Sequence, residues 1–195
     1  TGEHIEEIPF PTNDHVAIDI IVAETSTQED YDEIIVLYDE KDGDNKYIQW
    51  YNAKLEEMYR SQTNYSASGA ELFSGNFYHN ETIDIGVYST IHLVNIYDGT
   101  TGEELYYYSH GPALEEILPI DSDGDGYDDI LTLDSNDDIN IWKRDGSSSK
   151  LALNYGTDEV MDLTAGDFAK NDGNEDVVVV IRNQGLFVFE EDASN

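Results

Sequence analysis

The chain repeats itself, and the repeat limits its folds more than any other feature. Asn76, Asp121 and Asp167 each open an acidic loop, at intervals of 45 and 46 residues. The fullest copy reads Ile120-Asp121-Ser122-Asp123-Gly124-Asp125-Gly126-Tyr127-Asp128-Asp129, followed by the strand-like Ile130-Leu131-Thr132-Leu133. A degenerate first copy runs from Ile20–Ala23 through a polar loop to Asp32-Glu33-Ile34-Ile35-Val36-Leu37. A second landmark keeps the same period: Tyr51, Tyr97, Trp142 and Phe189 end short alternating segments at intervals of 46, 45 and 47. Two independent landmarks on one period mark a true structural repeat.

Each unit reads as strands. A short apolar segment enters the acidic loop and an Ile/Val-rich run leaves it. An alternating aromatic segment follows, then a turn such as Asp98-Gly99 or Asp145-Gly146, then a last strand such as Leu105–Tyr108. Glu56–Arg60 has a helical look, but its place in the repeat assigns it to an outer strand. Three or four strands per repeat of about 46 residues, without helical periodicity, predict an all-β fold, a β-propeller of four blades. The blades are expected over about residues 11–60, 61–108, 109–154 and 155–195. The last unit is short, since only Glu190–Asn195 follow Phe189. Residues 4–10, which have no blade of their own, are expected to supply its outer strand. Membership of a larger propeller, or exchange of the N-terminal strand with a neighbour, remains open.

The loop at 121–129 has the pattern Asp-x-Asp-x-Asp-Gly-x-x-Asp. Calcium takes six to eight hard oxygen ligands, and alternating carboxylates on a tight glycine-containing loop supply them. Asp121, Asp123 and Asp125, the Tyr127 carbonyl and Asp129 are the expected ligands of a Ca2+ ion. An EF-hand opens the same way but needs an acid at its twelfth position and flanking helices. Here that position is Thr132, inside a strand.

These residues carry a resemblance. Residues 121–133 and 166–180 resemble the FG-GAP or VCBS-type repeat of integrin α-subunit propellers and of many prokaryotic surface proteins. The resemblance implies calcium in the loop of each matching blade. The fourth loop is one residue longer and has Ala169 where a ligand is usual; Asp167, Asn171, Asp172 and Asp176 are its candidate ligands. The second loop offers Asn76, Asn80 and Asp84, with Glu81 in place of glycine. The first keeps Glu29, Asp30, Asp32 and Glu33 without glycine and reads as a solvated acidic turn. One firm ion is expected, and a second in the fourth loop is the next candidate.

Composition narrows the partners. With 43 acidic and 9 basic residues the formal charge is −34, which excludes a nucleic acid or an anionic membrane surface as a natural ligand. A hydrophobic content of 39%, with 14 Tyr, 6 Phe and 2 Trp, supports a soluble folded domain rather than disorder. The charge fits a halophile's hydrated surface, a calcium-loaded secreted protein, or both. Cysteine is absent, so no disulfide or thiolate chemistry is available. The first ten residues have no signal-peptide pattern, as in a mature secreted protein. Asn64 and Asn80 begin glycosylation triplets.

Catalytic patterns are missing. His4, His15, His79, His92 and His110 have no metal-ligand spacing, and no Gly-x-Ser-x-Gly elbow occurs. No carboxylate pair stands out among so many acids. Tyr106-Tyr107-Tyr108 offers sugar-stacking surface or outer-strand packing, and its period favours packing. The expected function is therefore non-enzymatic: a calcium-binding module, extracellular or on a cell surface, acting in assembly, adhesion or protein or glycan interaction. Two alternatives stand beside it. One is the propeller part of a carbohydrate-active or quinoprotein-like enzyme; the other is a filament subunit that self-associates through residues 4–10.

Overall fold

The computed structural model describes residues 15–25, 32–40, 46–63, 69–78, 82–89, 93–152, 159–169 and 173–190. Four antiparallel sheets follow one another along the chain. The first holds β1 (His15–Ala23), β2 (Glu33–Glu40), β3 (Lys46–Tyr51) and β4 (Glu57–Thr63). The second holds β5 (Ala70–Gly75), β6 (Asp84–Ser89), β7 (Leu93–Tyr97) and β8 (Glu104–Ser109). The third is built from β9 (Leu114–Ile120), β10 (Asp129–Asp134), β11 (Ile139–Trp142) and β12 (Ser148–Lys150). The fourth has three strands among the described residues: β13 (Val160–Gly166), β14 (Asp176–Ile181) and β15 (Gly185–Phe189). Each sheet meanders in chain order, as propeller blades do. The N-terminal segment 4–10, expected to complete the fourth sheet, lies outside the described residues.

The central strands of the second and third sheets form because they are buried on both faces. β6 and β10 are buried at every position, so Asp84–Ser89 and Asp129–Asp134 read as near-continuous runs of strand formers. Outer strands β4 and β8 alternate instead, with one face toward solvent. Glu57–Thr63 is such a strand, not a helix. Hairpins take the residues their turns need. Asp98 Oδ1 accepts the amides of Thr100 and Thr101 at 2.7 and 2.9 Å, and its carbonyl accepts the Gly102 amide at 2.7 Å. Gly102, at φ +73°, closes this turn in the left-handed region.

Three apolar seams join neighbouring sheets. Ile35, Leu37, Ile48 and Trp50 of the first pack on Leu72, Ile85 and Val87 of the second. Phe73, Tyr88, Val94 and Ile96 meet Leu114, Ile117 and Ile130 of the third. Leu131, Leu133, Ile139 and Ile141 meet Leu163, Val177 and Val179 of the fourth. Innermost strands also follow one another, β1 against β5, β5 against β9 and β9 against β13. Among the described residues, no seam of this kind joins the first and fourth sheets. Tyr106 and Tyr108 pack edge to face at 4.4 Å, and Tyr108 lies 6.0 Å from Trp142 of the next sheet, whereas Tyr107 is exposed. The tyrosine run is mainly packing.

Candidate metal centre

The loop between β9 and β10 is folded by its own aspartates. Asp121 accepts the amides of Gly124, Asp125 and Gly126 at 2.8, 3.2 and 3.0 Å, which curls the chain around its carboxylate. Asp125 Oδ1 accepts the Tyr127 amide at 2.9 Å. Gly124 has φ +71°, and a Cβ there would run into the Asn174 side-chain oxygen of the next sheet's loop. One carboxylate oxygen each from Asp121, Asp123 and Asp125 lies within 4.8 Å of the others, and no other described group of acids or histidines converges in this way. Two cations flank the cluster. Lys143 Nζ is 3.1 Å from Asp123, and the Arg144 guanidinium is 4.0 Å from Asp125 while stacking 3.8 Å over the Tyr127 ring.

This donor set suits a hard cation. Three carboxylates converge, the Asn174 side-chain oxygen stands against Gly124 of the same loop, and Asn76 Oδ1 is buried at its edge without a protein partner. Lys143 and Arg144 already offset part of the negative charge, which weakens the pull on a metal.

Asp129 stands apart from the cluster. It is buried at 6% exposure and accepts the Ser122 hydroxyl, stapling the loop from inside. The same register position holds Glu33, Asp84 and Asp176 in the other sheets, each opposite the last residue of its innermost strand. All are buried and do related work. Glu33 accepts the Thr25 amide at 2.8 Å, Asp84 that of Tyr78 at 2.8 Å, and Asp176 those of Phe168 and Ala169 at 2.9 and 2.6 Å. Asp84 and Asp176 thus act as loop staples in the structure. Asp167 accepts the Gly173 amide at 3.1 Å. Asn171, Asp172, Asn80 and Asn64 lie outside the described residues.

Sequence reading missed a second role for the acidic loops: each clasps its neighbour. The amides of Ile83, Asp128 and Glu175, one residue before β6, β10 and β14, donate to the carbonyls of Glu24, Asn76 and Asp121 in the preceding sheet, at 3.3, 2.8 and 2.9 Å. In two seams a carboxylate answers. Asp128 Oδ2 accepts the Asn76 amide at 2.7 Å, and Glu175 accepts that of Asp121 at 3.0 Å. Burial pushes the Asp128 carboxyl above its ordinary range, the Asn76 amide pulls it down, and the nearby Asp121 charge raises it again. The legible signal was the acidic doublet, Asp128-Asp129 or Glu175-Asp176: its first member clasps, its second staples.

No family model and no curated protein matches the chain. Solved structures do. The chain is similar to BBS1N in a crystal with ARL6DN soaked with lead, at 12% identity and a TM-score of 0.67 over 96% of this chain and 56% of that one. The mercury-soaked counterpart gives 10% identity and a TM-score of 0.64 over 92% and 53%. The WD40 domain of SCAP from fission yeast matches at 12% identity and a TM-score of 0.55, over 80% of this chain and 37% of that one. The chain thus spans about half the length of the first structures it matches. At such identities the likeness concerns the fold alone, and together with the four meandering sheets it makes this chain a β-propeller fold.

Proposed function

We propose that the protein is a non-catalytic interaction module of the FG-GAP or VCBS type, secreted or held on a cell surface, whose loop face is set by calcium and meets a protein or glycan partner. The convergence of the Asp121, Asp123 and Asp125 carboxylates carries this reading. These three residues, with the Tyr127 carbonyl, would hold the ion, and the ion would cancel their mutual repulsion. Because the loop is clasped to the sheets on either side, fixing it orders the surface over three sheets. A protein partner is the better supported class, since the BBS1N structures similar to this fold were solved as complexes with ARL6DN.

For a dissociation constant near 10⁻⁴ M, calcium at ~1 mM would add about 1.4 kcal/mol of stability. The test is thermal unfolding at low salt with EDTA or with added calcium. A calcium-specific rise in Tm that disappears in Asp125→Ala is expected. Stabilisation by molar NaCl alone, with no response to calcium, would remove the metal from this reading and leave halophilic solvation as the source of the acidity.

A further inference from the structure

Two cations of the chain itself are seated on the loop that gathers three carboxylates. Lys143 Nζ lies 3.1 Å from Asp123 Oδ2. The Arg144 guanidinium lies 4.0 Å from Asp125 Oδ2 while it stacks over the Tyr127 ring. Both stand on the turn between β11 and β12, so one short hairpin tip covers two of the three converging acids on the β9–β10 loop of its own sheet.

That turn is built to hold them there. The Lys143 amide donates to the Ser147 carbonyl at 2.9 Å, and the Gly146 amide, at φ +85°, donates to the Lys143 carbonyl at 2.9 Å. Asp145 Oδ1 accepts the Ser147 amide at 2.8 Å. The placement is particular to this unit of the repeat. Asn52-Ala53, Asp98-Gly99 and Glu190-Glu191 follow the aromatic landmark in the other units, and Lys143-Arg144 follows it here. In a chain with 9 basic residues against 43 acidic ones, two adjacent cations thus face the one described loop whose acids converge.

We propose that Lys143 and Arg144 are a tethered counter-ion of the metal loop: they hold its carboxylates while calcium is absent, and calcium loads by displacing Lys143 from Asp123 and Arg144 from Asp125. This device rests on the calcium site proposed above. An ion held by Asp121, Asp123 and Asp125 takes the carboxylates that the two side chains now pair with, and like charges repel at such range. The Lys143 and Arg144 side chains are 26 and 41% exposed, so each can swing into water while the backbone bonds of the turn stay made. Two consequences follow from the exchange. The hairpin weakens the site, so that it fills only where calcium is abundant, and the loaded protein carries a cationic tip that the empty one lacks.

The test is calorimetric titration of the 195-residue chain with calcium chloride at low salt, beside Lys143→Gln and Lys54→Gln. Lys54 is exposed on the β3–β4 turn of the first sheet, so its variant removes the same charge without touching the loop. Lys143→Gln should tighten calcium binding about two- to fivefold, the range of a partly exposed ion pair, and Lys54→Gln should change it less. In the parent chain, acetylation of the Lys143 amine, followed by mass spectrometry, should speed up when calcium is added, while that of Lys54 stays constant. Equal affinities in the two variants, or a Lys143 labelling rate that ignores bound calcium, would overturn the tethered counter-ion and leave the calcium site standing. Absence of calcium binding in all three proteins would overturn the site and the device together.

Discussion

Asn76 and Asp128 hold each other across the seam between the second and third sheets. The Asn76 amide donates to Asp128 Oδ2 at 2.7 Å, and the Asp128 amide donates back to the Asn76 carbonyl at 2.8 Å. The Asn76 side chain adds a third bond, from Nδ2 to the Gly126 carbonyl at 2.6 Å. Asp128→Ala removes the acceptor and strands the Asn76 amide, at a cost of about 1–3 kcal/mol. Asp128→Asn keeps an acceptor in place and should retain most of that stability. Urea unfolding of the two variants beside the parent protein measures the difference.

The same carboxylate sets a pH dependence. Burial raises Asp128, and burial followed by the Asp162 charge raises Glu116. A carboxyl whose folded value exceeds its unfolded value near 4 binds protons more tightly in the folded state. Its contribution is therefore fully present below that unfolded value and is lost as the pH rises through the folded one. In about 1 M NaCl, where general repulsion is screened, the urea midpoint should rise as the pH falls from neutrality toward about 5. The Asp128→Asn, Glu116→Gln double variant should show a flatter profile; a profile as steep as the parent's would rule these two groups out as its source.

Gly86 and Phe73 trade volume. At the register position where Ile35, Leu131 and Val178 stand in the other sheets, the second sheet has glycine, and the Phe73 ring lies directly over it. A Cβ at residue 86 would overlap that ring. Gly86→Val should cost about 1–3 kcal/mol by overpacking. Combining it with Phe73→Ala should recover part of the loss, a coupling that a double-mutant cycle measures directly.

Much of the architecture was legible because its physical cause is local. Ile130–Leu133 is rich in β-branched and apolar residues because both faces of its strand are covered, Val177–Ile181 is buried at every position but Val180, and the Asp98-Gly99 turn announces itself by residues that few other conformations use. The acidic loop was legible in part. Asp121, Asp123 and Asp125 converge as their alternation implies, whereas Asp129, though only four residues further on, turns inward to Ser122. Spacing alone does not separate a carboxylate that faces the loop's concavity from one that enters the strand, because the difference lies in which face the backbone presents at the first ladder pair.

By itself the sequence determined the period, the strands, the turns and the loop that gathers three carboxylates, because each depends on residues close together in the chain. Tertiary structure decided how the acids divide their labour. Asp128 and Glu175 clasp the preceding sheet while Asp129 and Asp176 staple their own loops, since only the packing of one sheet on the next brings Asn76 and Asp121 within reach. It also left Ile20 and Leu186 in solvent. Every copy of a repeat encodes a forward and a rear face, and only the arrangement of the copies in space determines which of those faces find a partner within the chain.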